Sequence, residues 1–274
     1  MIRIAVLLTC YNRVQSTLKC LNQLFESELP DTFQLDVFLV DDNSPDNTGR
    51  CVKEAFPKVN VIEGSGNLFW NHGMHLAWEE AAKINDFDFY FWLNDDTFIF
   101  PNAILNIVND YYSVKKEKLK ETIIISTVVD PETHEISYGG RKNGLLLAPI
   151  GSPLECDTVN GNFVLIPKEI FHTIGNMNTA FTHGMGDIDY GLRAIEKGFL
   201  VNIASKLCGY CANNPKVPWF SSDFTFSQRY DLLFQKTNGN IKEYLHFVRI
   251  HKGLPYMFLS FSKTVIRLFF PKLF

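Results

Sequence analysis

Over the first 110 residues short apolar runs alternate with amphipathic stretches. The pattern predicts strand 2–8, helix 14–26, strand 34–40, helix 46–55, strand 58–63, helix 72–84, strand 87–93 and helix 101–112. Such alternation implies right-handed crossovers and a mostly parallel sheet. Pro45 and Pro101 are placed at helix starts, where a missing N–H costs nothing. From 121 to 166 the texture changes to strand-like segments, Thr122 to Val128, Glu135 to Tyr138 and Thr158 to Ile166. Gly139-Gly140, Asn143-Gly144 and Pro149 to Pro153 separate them, so this half is expected to be mixed or antiparallel. A further helix is predicted from Asp187 to Lys197, with Gly198 as a left-handed C-cap. No internal repeat or low-complexity segment interrupts the chain.

Two of the apolar runs end in acidic pairs, Asp41-Asp42 and Asp95-Asp96. Ligands of open α/β sheets bind where strands end. Adjacent carboxylates there repel unless a cation, a sugar hydroxyl or a base donor engages them. Asn94-Asp95-Asp96 follows the most apolar strand and suits a hard divalent cation, Mg²⁺ or Mn²⁺, bridging to a diphosphate leaving group. Helix capping explains Asn43 and Ser44 but leaves Asp41 without a task.

Thr9-Cys10-Tyr11-Asn12-Arg13 leaves the first strand and opens a helix, facing the same edge; its structural alternative is a plain turn capped by Asn12. Gly64-Ser65-Gly66-Asn67-Leu68-Phe69 fails the dinucleotide fingerprint, because Phe69 stands at the third glycine and no acidic strand end follows at the required distance. It reads instead as a loop beside a ligand, with Asn67 and Trp70 facing it. Asp187 and Asp189 sit at a helix start, where the macrodipole alone would favour them.

Composition narrows the class. With 274 residues, 46% of them hydrophobic, the chain holds one large α/β core or a core with a small appendage. A net charge of -4 gives no general basic field for nucleic acid. The start reads as a first strand and not as a secretory signal, and six dispersed cysteines fit reduced thiols in the cytosol. Cys208-Gly209-Tyr210-Cys211 lacks a second ligand pair, which favours packing over zinc or redox chemistry.

In order, Thr-x-Tyr-Asn-Arg, Asp-Asp-Asn-Ser, Gly-Asn, Asn-Asp-Asp and Gly-Asp-x-Asp-x-x-x-Arg make the chain similar to glycosyltransferase family 2, including its rhamnosyltransferase-like members, over about residues 2 to 205. The resemblance implies the GT-A fold: α/β, a mostly parallel central sheet flanked by helices, here with a C-terminal helical extension. It also implies a nucleotide-sugar donor, a divalent cation and inversion at the anomeric carbon. Carried over by position, Thr9, Tyr11, Arg13, Asp41, Asp42, Asn67, Trp70 and Asp95 belong to the nucleotide sugar, and Asp96 to the metal. Asp187 matches the general base, and Asn160, Gly161, His183 and Asp189 border the acceptor or donor sugar. Two departures stand out: Gly186 replaces the Glu that commonly precedes the base, and Cys208 to Cys211 occupy the region of a late histidine.

The expected organisation is a GT-A domain over 1–215, with a nucleotide-binding half to about 110 and an acceptor half from 111 to 215, then a helical extension over 216–274. The expected activity is metal-dependent inverting transfer of a hexosyl or deoxyhexosyl group to a glycan or lipid-linked acceptor in cell-surface polysaccharide synthesis. The rivals are a sugar-nucleotide pyrophosphorylase, whose Gly-rich first loop is missing from Thr9 to Arg13, and a non-catalytic glycan-binding module. The tail places Lys263 and Arg267 on one helical face and Phe258, Phe261, Val265, Leu268 and Phe269 on another. Its cations interrupt the only window long enough to span a bilayer, so residues 253–274 are expected to lie on a membrane surface or to pack on protein, a second copy included. The localisation expected is cytoplasmic, peripheral on the inner face of the plasma membrane.

Overall fold

The structure, a computed structural model, describes residues 1–213, 217–238 and 240–273. Runs rich in Val, Ile, Leu and aromatic residues form the strands β1 (Ile2–Cys10), β2 (Phe33–Asp41), β3 (Asn60–Glu63), β4 (Phe89–Leu93), β5 (Phe98–Ile99), β6 (Thr122–Val129), β7 (Ile136–Tyr138), β8 (Arg141–Lys142), β9 (Leu145–Leu146), β10 (Leu154–Glu155), β11 (Phe163–Pro167) and β12 (Leu200–Tyr210). Between and after them run the helices α1 (Val14–Phe25), α2 (Thr48–Ala55), α3 (Phe69–Ile84), α4 (Ala103–Lys118), α5 (Lys168–Ile174), α6 (Gly186–Glu196), α7 (Phe226–Phe234), α8 (Ile241–Lys252) and α9 (Leu254–Phe269).

The main sheet has the order β10-β12-β6-β11-β4-β1-β2-β3, with β5 on β12 and β7 on β6. β1 to β4 pair in parallel. β11 runs antiparallel between β4 and β6, and β6 and β12 are parallel again, so the second half is mixed as its texture predicts. Side-chain alternation along β4 builds the layers. Phe89, Phe91 and Leu93 enter one core with Leu21 of α1 and Ile107 of α4, while Tyr90 and Trp92 enter the other with Trp78 of α3 and Tyr190 of α6. Trp78 is fully buried there, 5.2 Å from the Tyr90 ring and 4.9 Å from Phe171. Burying an aromatic side chain of that size stabilises by roughly 3 kcal/mol, so these rings secure the sheet before any polar contact is counted.

Several boundaries move for identifiable reasons. α2 begins at Thr48 and Pro45 stays in the loop, because the Asp46 carboxylate accepts from Val14 N at 3.0 Å and Thr48 N at 3.1 Å and so caps two helices from outside both. Asn12, the cap in the alternative reading of this turn, lies at φ 54° and donates its own N–H to Ser44 Oγ. α4 runs on to Lys118, where Tyr111 and Val114 still bury against the sheet. Residues 158–162 are not strand: Asn160 Oδ1 accepts from Asn162 N at 3.3 Å, a local bond that competes with the ladder. Gly198 sits at φ 85°, past the end of α6, as predicted.

The C-terminal extension gathers α7, α8 and α9 around Leu233, Ile241 and Leu268, with Trp219 and Leu245 against them. The domain boundary expected at 215 falls outside the described residues, as does Phe274. α9 leaves Phe258, Phe261 and Phe269 exposed, but Leu268 turns inward, its carbonyl accepting from Arg229 Nε at 3.1 Å. Arg267 stacks over Phe220 at 4.6 Å, so it leaves the cationic face that the helical spacing shared between it and Lys263. Among the described residues no helix is long and apolar enough to cross a membrane.

Because one side chain caps two helices, Asp46→Ala is expected to destabilise the protein by about 1–2 kcal/mol. Urea unfolding should show a lower midpoint at unchanged slope; an unchanged midpoint would remove Asp46 from this role.

Candidate functional site

Strand order reverses between β1 and β4, and the crevice of an open α/β sheet forms at such a point. A cavity of about 400 Å³ lies there. β1 and the turn after it contribute Thr9, Cys10, Tyr11 and Arg13; the strand ends add Asp42 and Asp95; the start of α3 adds Phe69 and Trp70, with Gly66 before it. His183 and Thr237 complete the wall. Thr237 comes from the extension, and nothing in the local sequence signals it. Asn67 is exposed and outside this lining, so the loop faces the cavity with Gly66, Phe69 and Trp70 instead.

The acidic pair after β2 is consumed by backbone. Asp42, 4% exposed, accepts from Gly66 N at 2.7 Å, Leu68 N at 2.8 Å and Phe69 N at 3.1 Å. Asp41 accepts from Ser44 N and Gly49 N at 3.1 and 3.0 Å and faces a second cavity, of about 360 Å³, beside α2. Both carboxylates are therefore satisfied without a ligand, and the argument from mutual repulsion does not hold for them. Asp42 also holds Phe69 at φ 56°, a strained conformation for a bulky residue that aims its ring at the cavity.

The second pair differs. Arg13 Nη1 stands between the carboxylates, 3.1 Å from Asp95 Oδ1 and 2.7 Å from Asp96 Oδ2. Thr17 Oγ1 donates to the other Asp95 oxygen at 3.1 Å. Burial pushes the Asp95 carboxyl up to about 6, against the pull of Arg13 and with the repulsion of Asp96. Next to the pair, Trp70 Nε1 donates to Asn94 Oδ1 at 2.6 Å, and Asn94 Nδ2 donates to Asn162 Oδ1 at 3.0 Å.

Asp187 opens α6. Its oxygens accept from Gly161 N at 3.1 Å and Ile188 N at 2.9 Å, and burial raises its carboxyl from the ordinary 3.8 to about 6. Gly161 packs flat on the Trp70 ring, which links the carboxylate to the cavity wall. Gly186, the departure from the family pattern, has a steric cause: a Cβ there would run into Asn71 Oδ1. Asn71 is occupied in holding the preceding loop, donating to the carbonyls of Asn178 at 2.9 Å and Phe181 at 2.6 Å. Asp189, expected at the sugar, is instead fully buried and paired with Arg193 and His251, so it has no oxygen to spare for a substrate. Asn160 lies beside Gly161, where its amide oxygen closes the turn to Asn162.

Among the described residues no group of three or more His, Cys, Asp and Glu is arranged to hold a metal. Asp96 alone supplies an accessible carboxylate, one oxygen on Arg13 and the other 4.0 Å from Cys211 Sγ. Mg²⁺ and Mn²⁺ keep several waters and bind through one or two carboxylates plus substrate phosphate, so this donor set fits such an ion once Arg13 releases Asp96. Cys208 and Cys211 are buried, and all six cysteines are unpaired.

Comparison with known proteins agrees with the architecture. Residues 5–116 match the family model described as glycosyl transferase family 2. Residues 1–349 of TarS from S. aureus in complex with UDP-GlcNAc superpose with a TM-score of 0.57 at 14% identity, covering 91% of this chain and 72% of that one. The mannosyltransferase PcManGT from Pyrobaculum calidifontis, in complex with GDP-Man and Mn²⁺, gives 0.57 at 15% identity over 98% of this chain and 81% of its own. GalNAc-T7 with UDP, GalNAc and Mn²⁺ gives 0.59 at 13% identity over 85% and 50%. Comparison with curated proteins returns no match. The fold is GT-A, with a mixed central sheet and a C-terminal helical extension.

A carboxyl raised to about 6 in the folded chain binds its proton more tightly there than in the unfolded chain. Its contribution to stability is whole below the unfolded value and is lost as pH rises through about 6. Asp187→Asn is therefore expected to be more stable than wild type above pH 7 by about 1–3 kcal/mol, the gain vanishing below pH ~4. Thermal unfolding across that range checks it; a variant less stable at pH 8 than wild type contradicts it.

Proposed function

We propose that this chain is a metal-dependent inverting glycosyltransferase that moves a hexosyl or deoxyhexosyl group from a nucleotide sugar to a hydroxyl of a glycan or lipid-linked acceptor. The observation that carries the reading is the placement of two different carboxylate centres on either side of Trp70, one after β4 and one at the start of α6. Asp95 and Asp96 stand on an arginine at the mouth of α1, and Asp187 stands apart behind Trp70 with its affinity for protons raised. A base of that strength is ionised at pH 7 yet still able to take a proton.

In this reading Thr9, Tyr11, Arg13, Asp42, Trp70 and Asp95 surround the donor, with Gly66 and Phe69 as additional wall. Asp41 acts through the loop it shapes, and Asn67 meets the donor from the exposed rim. Asp187 removes the acceptor hydroxyl proton as that oxygen attacks the anomeric carbon, and the bond from that carbon to the diphosphate breaks, releasing nucleoside diphosphate. Asn160, Gly161 and His183 border the reacting sugars. Asp96 is the residue that would hold Mn²⁺ or Mg²⁺, which when bound neutralises charge on the leaving diphosphate. Arg13 turns from Asp96 toward the same phosphates.

A panel of nucleotide sugars with Mn²⁺, read by release of nucleoside diphosphate, tests the reading. Asp187→Asn should lower turnover at least about a hundredfold with donor affinity near normal, and Asp96→Ala should abolish Mn²⁺-dependent donor binding in calorimetry. Wild-type turnover in the first variant would reassign the base; unchanged Mn²⁺ dependence in the second would reassign the metal. Turnover without any acceptor requirement would point to a pyrophosphorylase or hydrolase instead.

The exposed face of α9 supports a lipid-linked acceptor. α9 and its flanks carry Lys252, Lys263 and Lys272 and no acid, Arg267 being turned onto Phe220, and Phe258, Phe261 and Phe269 are exposed. A helix of this kind lies in an anionic lipid interface, which would place the enzyme on the cytoplasmic membrane face beside a lipid-linked acceptor; a homodimer through the same surface is the competing occupant. Full-length protein should co-sediment with anionic vesicles, and a truncation ending at Lys252 should not. Equal partitioning of the two would exclude α9 as the anchor.

A further inference from the structure

The C-terminal extension grips the core domain at the segment that carries Asp187. Asp189 is fully buried, with Arg193 Nε 2.8 Å from Oδ2 and His251 Nε2, from the last turn of α8, 2.9 Å from Oδ1. The other ring nitrogen of His251 stands 3.5 Å from Glu196 Oε1. Arg193 reaches on to the carbonyls of Ile174 and Asn176 at 2.8 and 3.1 Å. Two turns before His251, Glu243 accepts the Thr182 N–H at 3.0 Å and its hydroxyl at 2.7 Å. Between these clamps the rings of His246 and Phe247 lie on Phe181.

We infer that His251 is a positioning residue for Asp187, and that the extension acts as a brace that sets the direction of the base; this rests on the functional reading above. Residues two apart on a helix point roughly 200° from one another, so holding Asp189 from the side of α8 sets the side on which Asp187 emerges. Directional bonds are what such a task needs. A buried ion pair is weak evidence for stability, since apolar packing of equal volume would serve as well, but it fixes orientation. Both Asp189 oxygens are used, one within its own helix and one by the extension; the bond from His251, with the reach of Arg193 to the carbonyls of Ile174 and Asn176, is what opposes rotation of α6 about its axis. Glu243 fixes the loop before α6 in the same manner.

Two measurements on the full-length chain decide it. The first needs no substrate: carboxyl-carbon NMR, with Asp187→Asn assigning the signal, follows the Asp187 titration. His251→Ala is expected to lower its midpoint by about one unit as water enters beside the loosened turn, and His251→Gln, which keeps one N–H toward Asp189, should restore most of the shift. The second uses the donor found in the nucleotide-sugar panel. The Ala variant should lose about thirtyfold in kcat with donor KM within about twofold, because misplacement of a reacting group costs rate and not donor affinity. A folded His251→Ala protein with wild-type kcat overturns the inference, as does a loss shared equally between kcat and donor binding. If His251→Ala does not fold, Glu243→Gln carries the same two measurements; failure of both to fold overturns it in favour of a purely architectural extension. Should no donor be turned over at all, the functional reading fails and the titration alone judges the brace.

Discussion

A carboxylate is kept out of water only where donors are brought to it, and at the carboxyl edge of this sheet that requirement organises everything downstream. Asp41 draws in the first turn of α2, Asp42 the start of α3, Asp95 the guanidinium and hydroxyl of α1, and Asp187 the amide of Gly161. Each acid stands at an end of one element and collects donors from another. The loops around the cavity are thus tied to strand ends, and to one another where Ser44 and Asp46 hold the start of α1.

The same chemistry divides into two uses. Asp42 and Asp41 are structural acceptors, saturated by backbone. Asp95 and Asp187 are held where ionisation is disfavoured, which costs stability at neutral pH and leaves each carboxyl near the pH at which it changes state. Asp189 looked equivalent to Asp187 in the sequence, since both lie in the first turn of one helix. Their faces separate them: one is turned toward Gly161 and the other toward α8.

The alternating half of the fold was legible because each strand there is a dense apolar run and each helix carries its own period, so β1 to β4 and α1 to α3 were placed within a few residues. Residues 158–162 misled because apolar and β-branched content resembles a strand, while the Asn160 side chain closes a local turn. Among the site residues, Thr9, Tyr11, Arg13, Asp42 and Asp95, read from the strand ends and the turns after them, meet Trp70 and His183 in one cavity. Phe69 was passed over because its role depends on a backbone angle imposed by Asp42, from 27 positions earlier. Thr237 and His251 had no signal at all, because their partners lie far back along the chain and the contact is made only once the extension folds over α6 and α3.

The line of amides from Trp70 through Asn94 to Asn162 has a direction. An indole N–H donates and cannot accept, so it obliges Asn94 to present its oxygen toward Trp70 and its NH₂ toward Asn162, which in turn must present its oxygen. Three side chains share one polarity set by one ring at the cavity wall. The row is fixed by its first member: reversing Asn94 would set its NH₂ against the indole N–H and its oxygen against the oxygen of Asn162. A single indole at the cavity wall thus settles which face each amide shows, as far as the residue beside the Gly161 amide that holds Asp187.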